Sequence, residues 1–355
     1  MAMLMPRRGR PSRAAIFAAV EEGVRELARV GGLPSPVENA AIWEEIWNEE
    51  AHHSTAIEGN TLLLKQVRVL LETGMVTGPA RELREILEVQ AYAEAARWVY
   101  GQALPGTEWR DGSQINLTEL REIHRLVVEP VWRHFPPDEL APDEGPGSFR
   151  RHNIAPLASG LRPPDFTEVA GLVSDWIKGA NMVSADVPAM VRLARLHAAF
   201  EQIHPFRDGN GRTGRLVLNL LLVRRGYPPA VILKQQRVKY LQALRRADPT
   251  KHVGALTMLM PEGDVPQQPD AGPLAELLAR AVKTSIDRFL LPGLAGPHRL
   301  LPLSALAHDE VSPLALRRAA EKGRLIATQQ EGRWYSSKQA VSRYLASRHR
   351  GKARR

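Results

Sequence analysis

Apolar residues recur along most of this chain at the three- and four-residue spacing of helices that bury one face. The first such stretch follows Ser12, a suitable helix cap, and stops before Gly31 and Gly32. Its apolar face would consist of Ile16, Phe17, Val20, Val24 and Leu27. Residues 37–74 continue the helical pattern, with a break near Glu58-Gly59-Asn60. The N-terminal part of the chain is therefore predicted to be helical.

The rest of the chain repeats this pattern with one long interruption. Further helices are predicted at 81–100, 117–128 (capped by Thr118), 167–178, 188–202, 216–223 and 274–291. Residues 216–223 are apolar on nearly every side except Asn219, which is typical of a buried central helix. Residues 136–164 are dense in Pro and Gly, and their pattern favours a loop or a small hairpin. The predicted fold class is mainly α, a helical bundle with one small hairpin.

Proline-rich segments and changes of pattern divide the chain into five predicted parts. Residues 261–273 contain four prolines and are predicted to be a linker. The predicted organisation is an N-terminal helical region (1–110), a core (111–260), that linker, a connecting helix (274–301) and a C-terminal module (302–355).

The C-terminal module alternates short helical and strand-like pieces. A helix is predicted at 303–308, a second at 314–322 with Ser312 as its cap, strands at 325–328 and 333–335, and a closing helix at 336–347. This order is similar to winged helix-turn-helix modules. The resemblance implies that the second helix enters the DNA major groove, through contacts from Arg317, Arg318 and Lys322, with Arg333 on the wing.

Charge supports a nucleic-acid partner for that module. The chain has a net charge of +9, and residues 299–355 hold 13 Lys and Arg against 4 Asp and Glu, so the first 298 residues are neutral. A solvated basic tail or a protein-binding module are the alternatives. The basic run Arg8-Gly9-Arg10-Pro11 resembles the core of an AT-hook, although a plain tail explains it as well.

Composition sets the remaining limits. The chain has 355 residues and no cysteine, which excludes disulfides and zinc–thiolate sites. No stretch approaches the roughly 20 apolar residues of a membrane span. We therefore expect a cytoplasmic protein with no membrane partner; a homodimer is compatible with the sequence.

Residues 204–215, HPFRDGNGRTGR, contain several residues suited to catalysis and phosphate binding. His204 titrates near neutrality and can accept a proton from an attacking hydroxyl. Asp208 offers one hard oxygen to a Mg²⁺ that is otherwise held by phosphates and water. Gly209 and Gly211 let backbone N–H groups at a helix start approach an anion. Arg212 and Arg215 lie on one helical face, and their guanidinium groups suit phosphate oxygens.

Two other phosphate-binding motifs can be rejected for these residues. Residues 209–214 fit GxGxxG, but a helix precedes them instead of a strand, and the next acidic residue is Asp248. No Gly-Lys-Ser or Gly-Lys-Thr follows, which excludes a P-loop.

Residues 204–215 resemble the signature of the Fic family, HPFx[D/E]GNGRxxR, and match it at every fixed position. Members of that family are helical and transfer AMP from ATP to a hydroxyl side chain of a protein. The resemblance implies that His204 is the general base and Asp208 the Mg²⁺ ligand. Gly209, Asn210 and Gly211 would form the anion hole, with Arg212 and Arg215 on the β- and γ-phosphates. The target hydroxyl would attack the α-phosphorus in line while Mg-pyrophosphate leaves.

A second family pattern, [S/T]xxxE[G/N], matches Ser54 to Gly59. The resemblance implies that Glu58 pairs with Arg215 and so blocks the productive pose of ATP. An ordinary helix end with Gly59 as its cap is the alternative. Less specific resemblances place a flap that docks the target protein at 147–160, and nucleoside contacts at Asn219 and Tyr240.

The sequence thus predicts a protein adenylyltransferase that uses ATP with Mg²⁺, is inhibited by Glu58, and carries a DNA-binding module. Gly211 favours AMP transfer over the γ-phosphate transfer of relatives with Lys at that position. Phosphocholine transfer, AMP removal and a kinase activity stay open. So does a transcription regulator whose core only senses nucleotide.

Overall fold

A computed structural model describes residues 11–29, 32–75, 82–103, 112–155, 157, 160–182, 187–247, 270–294, 300–308, 310–330 and 332–352. Its helices are α1 (Arg13–Arg29), α2 (Ala40–Ile57), α3 (Leu64–Thr73), α4 (Leu83–Ala103), α5 (Leu117–Trp132), α6 (Val169–Asn181), α7 (Ala189–Ile203), α8 (Asn210–Arg224), α9 (Arg237–Arg246), α10 (Gly272–Ser285), α11 (Leu291–Leu294), α12 (Pro313–Glu321) and α13 (Lys338–Lys352). Short 3₁₀ turns occupy Phe166–Glu168 and Lys234–Gln236, and a π-helical turn, Ile286–Leu290, joins α10 to α11. The strands are β1 (Leu301–Pro302), β2 (Ala327–Gln330) and β3 (Arg333–Ser336).

Helix α8 is the central element of the bundle, as its all-round apolar sequence predicts. All of its residues except Gly211 are buried, and it packs against α4, α5 and α7. Its last residue, Arg224, forms a fully buried ion pair with Glu119 of α5, with N–O distances of 2.6 and 3.0 Å. Both partners are shielded from water, so the pair fixes α5 against α8.

Helix α2 belongs to the same core. Trp43 and Ile46 are fully buried, and Glu50 accepts hydrogen bonds inside the protein from Tyr92 and Tyr100 of α4. The helix ends at Ile57, with Glu58 as its C-cap. The predicted break near residues 58–60 is therefore the end of α2.

Three local predictions differ from the structure. Asn116, not Thr118, caps α5, because its Oδ1 accepts the Glu119 N–H while the Glu119 carboxylate accepts the Asn116 N–H. Residues 303–306 form turns instead of a helix, since only a few residues separate β1 from Val311. The described residues of the predicted flap hairpin form turns without strand, because side chains satisfy part of its backbone: Glu144 accepts the Arg151 N–H, and Arg150 donates to the His152 carbonyl.

The C-terminal module contains a three-stranded antiparallel sheet in the order β1-β3-β2. Leu301 pairs with Ser336 on one side of β3, and Ala327 pairs with the same residue on the other. Helix α12 is capped by Ser312, whose hydroxyl accepts the Ala315 N–H at 3.2 Å, as predicted. Residues 248–269, which include most of the predicted linker, lie outside the described residues. Among the described helices, none is long and apolar enough to cross a membrane.

Candidate active site

The loop from His204 to Gly209 connects α7 to α8 in two unusual backbone conformations. His204 caps α7 at φ 49°, and Gly209 starts α8 at φ 78°. A Cβ at Gly209 would lie 2.5 Å from Val128 Cγ1, so only glycine fits there. The Asn210 amide holds the loop closed: its Oδ1 accepts the Phe206 N–H at 2.9 Å and its Nδ2 donates to the Phe206 carbonyl at 2.8 Å.

Two residues outside the signature support this loop, and sequence reasoning missed both. His124 of α5 stacks on the buried Phe206 ring at 3.7 Å between centroids. Its Nδ1 accepts the Gly147 N–H at 2.9 Å, so the ring proton lies on Nε2, which donates to the Asp208 carbonyl at 2.9 Å. Burial lowers the pKa of His124 to about 4 and keeps the ring neutral. A lone histidine on an amphipathic helix carries no sequence signal for this role.

Arg150 holds the loop from the other side. Its side chain is buried, and it donates to the carbonyls of His204 at 2.9 Å and Pro164 at 2.7 Å. Its own N–H donates to the Pro205 carbonyl at 2.9 Å. The predicted flap at 147–160 is thereby bonded to the backbone of the candidate base; residues 156, 158 and 159 of that segment lie outside the described part.

The His204 imidazole is prepared to accept a proton. Its Nδ1 faces the Glu201 carbonyl at 3.2 Å, which places the ring proton on Nδ1 and leaves the Nε2 lone pair free. Burial lowers the pKa of His204 to about 4, so the ring is neutral at pH 7. A neutral imidazole with an available Nε2 suits general-base catalysis.

The start of α8 places a buried guanidinium group near two carboxylates without a hydrogen bond to either. The Arg212 side chain is only 6% exposed, yet its Nε and Nη1 have no hydrogen-bond partner among the described residues. The nearest carboxylates are Asp208 at 3.7 Å and Glu88 at 3.9 Å. The Asp208 Oδ1 accepts the Gly209 N–H at 2.6 Å, and its side chain is 40% exposed. A buried guanidinium with unsatisfied donors beside free helix N–H groups favours an anionic ligand.

Arg215, by contrast, is fully engaged by α2. It donates to the Ser54 hydroxyl at 2.7 Å, the Ser54 carbonyl at 2.9 Å and the Glu58 carboxylate at 2.8 Å. Burial raises the pKa of Glu58, but the charge and hydrogen bond of Arg215 outweigh it and lower the pKa overall. A Cβ at Gly211 would overlap the Glu58 carboxylate, so the absence of a side chain there makes room for this ion pair. The structure therefore brings Glu58 into the candidate site.

Comparison with known proteins agrees with this geometry. Residues 114–222 match the model of the Fic/DOC family. These residues form a Fic domain. A protein adenylyltransferase Fic from Culex quinquefasciatus is 31% identical over 296 residues, which cover 83% of this chain and 51% of the relative. The chain thus spans about half the length of that relative.

Solved structures give the same fold. A fragment of Fic-1 from C. elegans superposes with a TM-score of 0.57 at 26% identity, covering 78% of this chain and 71% of that one. A Fic family protein from Desulfovibrio desulfuricans covers 94% of this chain and 97% of its own, with a TM-score of 0.54 and 21% identity. The mainly helical fold predicted from the sequence is that of Fic-domain structures.

The two predicted nucleoside contacts are buried, Asn219 on α8 and Tyr240 on α9. Asn219 donates to the Glu50 carboxylate at 2.7 Å and accepts the Ala230 N–H at 2.8 Å. The Tyr240 hydroxyl hydrogen-bonds with His197 Nε2 at 2.7 Å. Both side chains are 1% exposed. In this conformation their polar groups bond to the protein itself.

The predicted DNA contacts lie away from the Fic domain. Arg318 is exposed on α12, and Lys322 is exposed at its C-cap. Arg317 is exposed but bonds to Glu321 at 2.7 Å. Arg333 of β3 lies near helix α1, where its charge contributes to lowering the pKa of Glu22, after the larger effect of Arg25. The module therefore exposes cations of α12, and the start of β3 lies near α1.

Proposed function

We propose that this chain is a protein adenylyltransferase that transfers AMP from ATP to a hydroxyl side chain and is held inactive by Glu58. The observation that carries the proposal is the asymmetry of the two arginines. Arg212 is buried with unsatisfied donors, whereas Arg215 is occupied by a carboxylate from α2. The printed name of the Culex relative, protein adenylyltransferase Fic, supports the same activity.

The residues of the loop have distinct tasks in this reaction. His204 Nε2 takes the proton from the target hydroxyl as its oxygen forms a bond to the α-phosphorus. The bond from that phosphorus to the bridging oxygen breaks, and pyrophosphate leaves. Backbone N–H groups from Gly209 to Gly211, together with Arg212, stabilise the charge on the phosphates. Arg150 and Asn210 hold the base and the phosphate-binding groups in fixed relative positions.

Asp208 fits a role in holding Mg²⁺. Its carboxylate is 40% exposed beside the anion site, and no cluster of three acidic or histidine ligands exists among the described residues. One carboxylate is sufficient for a Mg²⁺ whose other ligands are phosphate oxygens and water. The ion would neutralise charge on the leaving pyrophosphate.

The inhibition follows from the Arg215 contacts. While Glu58 accepts from Arg215, the donors that would hold the γ-phosphate are taken and a carboxylate occupies part of its space. ATP then binds without the alignment that in-line attack requires. Removing the carboxylate should restore that alignment.

Incubation with Mg²⁺ and ATP labelled at either the α- or the γ-phosphate tests the activity. We expect Glu58→Gly to retain α-label on protein and no γ-label, and His204→Ala in the same background to retain neither. Glu72→Gly, which removes an exposed carboxylate from the last turn of α3, is the matched control and should behave like wild type. Retention of γ-label alone would indicate a kinase; no label from Glu58→Gly would favour a nucleotide sensor.

We further infer that residues 302–355 bind DNA through α12. Supporting observations are the β1-β3-β2 sheet order and the exposed cations Arg318 and Lys322. Binding to duplex DNA should weaken steeply with salt, and Arg318→Ala with Lys322→Ala should reduce both affinity and salt slope. Salt-independent binding, or none, would contradict this role.

A further inference from the structure

Glu201, in the last turn of α7, has a buried carboxyl group that the roles above do not use. Its side chain is 7% exposed, and its Oε1 has no hydrogen-bond partner among the described residues. Leaving a buried acceptor unpaired is energetically costly, so such a group calls for a functional explanation. Its backbone carbonyl faces His204 Nδ1, which places the residue directly behind the candidate base.

The carboxyl group lies against the second turn of α8. A Cβ at Gly214, the residue before Arg215, would overlap Glu201 Oε1. Arg215 attracts the Glu201 carboxylate and Glu58 of α2 repels it. Two acidic side chains from different helices therefore act on one guanidinium group.

The other groups around Glu201 are neutral. His197, one turn earlier on α7, places Nε2 3.9 Å from the carboxyl, and burial lowers its pKa to about 3. Tyr240 of α9 bonds to the same ring nitrogen, and burial raises the pKa of its hydroxyl. Arg215 and Glu58 are thus the charges that decide the state of Glu201.

Burial raises the pKa of Glu201 to about 7, Arg215 lowers it and Glu58 raises it. An anion on Arg215 therefore favours the protonated form of Glu201. When that anion departs, the buried guanidinium keeps its bonds to Ser54 but loses its nearest carboxylate. The charge of Arg215 acts on two other buried carboxyl groups, Glu50 and Glu201. Glu50 already accepts hydrogen bonds from Tyr92, Tyr100 and Asn219, whereas Glu201 Oε1 has no partner among the described residues.

We propose that Glu201 is a positioning residue for Arg215, protonated while Arg215 holds Glu58 or a phosphate and ionised as its counterion when neither is bound. The proton passes to and from solvent. This inference rests on the proposed function, since it concerns the arginine that would receive the γ-phosphate. The ionised Glu201 gives Arg215 a charged partner after Glu58 has left and before a phosphate binds.

Titration of Glu201 makes anion binding at Arg215 dependent on pH. Glu201 has the higher pKa in the anion-bound state, so anion binding takes up a proton. The stabilisation of that state is fully present at low pH and is lost as pH rises through the value near 7. In Glu58→Gly, the KM for ATP should therefore increase about three- to tenfold between pH 6 and pH 8.5, with kcat changing less.

Calorimetry of ATP binding in buffers of different ionisation enthalpy measures the proton directly. At pH 7.5, Glu58→Gly should take up more protons than Glu58→Gly with Glu201→Gln, while protonation of ATP itself is common to both. Glu94→Gln, at an exposed position on α4, is the matched control and should behave like its parent. Equal uptake with and without Glu201 would overturn the proposal.

A second comparison leaves Glu201 intact and is independent of any folding defect in its variant. In wild type, Arg215 holds Glu58 before and after ATP binds, so proton uptake should be smaller than in Glu58→Gly. Equal uptake in these two proteins would also overturn the proposal. Failure of the labelling experiment would refute adenylyl transfer, whereas these binding measurements would still report on Glu201.

Discussion

Glu58→Gln separates the charge of the inhibitory contact from its shape. Glutamine keeps an oxygen that can accept from Arg215, where Glu58 Oε1 now accepts at 2.8 Å, but it removes the negative charge. The Glu58 side chain is 44% exposed, so solvent screening limits the ionic part to about 1 kcal/mol. About 1 kcal/mol corresponds to a roughly fivefold change in the inhibited population.

Glu58→Gly also removes the hydrogen bond to a charged group, which contributes about 1.5–3 kcal/mol, or roughly 13- to 160-fold. The rate of auto-modification is therefore expected to be lowest in wild type, about fivefold higher in Glu58→Gln, and higher still in Glu58→Gly. Initial rates of α-label retention at subsaturating ATP measure this, with His204→Ala in each background as the blank. A Glu58→Gln rate equal to wild type would refute the electrostatic reasoning, because shape alone would then inhibit.

Three further predictions concern Asn210, the Glu119–Arg224 ion pair and the pKa of His204. Asn210→Ala removes both bonds to Phe206 and should lower stability by about 2–4 kcal/mol in thermal unfolding and abolish labelling; an unchanged Tm would contradict the loop assignment. Glu119→Gln leaves the Arg224 charge buried without its partner and should cost about 3 kcal/mol in urea unfolding, more than replacing both residues with apolar ones. Because the pKa of His204 is lowered to about 4 by burial, kcat of Glu58→Gly at saturating ATP should stay constant from neutral pH down to about pH 5; a decline centred near pH 6.5 would contradict this.

The candidate active-site loop could be identified in the sequence because its polar groups are local. His204, Asp208 and the two arginines lie within twelve consecutive residues, and the conformations that place them follow from glycine at fixed positions. The acidic residue of the inhibitory pattern is distant in sequence. Only the resemblance to a family connected Glu58 to Arg215.

The supporting residues could not be predicted, because their roles arise from tertiary contacts. His124 is one of several histidines in the chain, and Arg150 one of many arginines; neither lies in a distinctive pattern. Thr118 was a reasonable cap for α5, but Asn116 forms a reciprocal pair with Glu119 that propensity alone does not rank. Sequence identifies the reacting groups of this chain and leaves the scaffold that orients them to the structure.

The position of Glu58 at the very end of α2 determines what release of inhibition would require. Withdrawal of the helix would expose Trp43 and Ile46, at about 1.5–3 kcal/mol for each side chain, and would break the bonds of Glu50. Glu58 instead follows the last helical residue and precedes Gly59, which adopts φ 115°. A change of the Glu58 rotamer alone would therefore separate its carboxylate from Arg215, while α2 and its buried contacts stay in place.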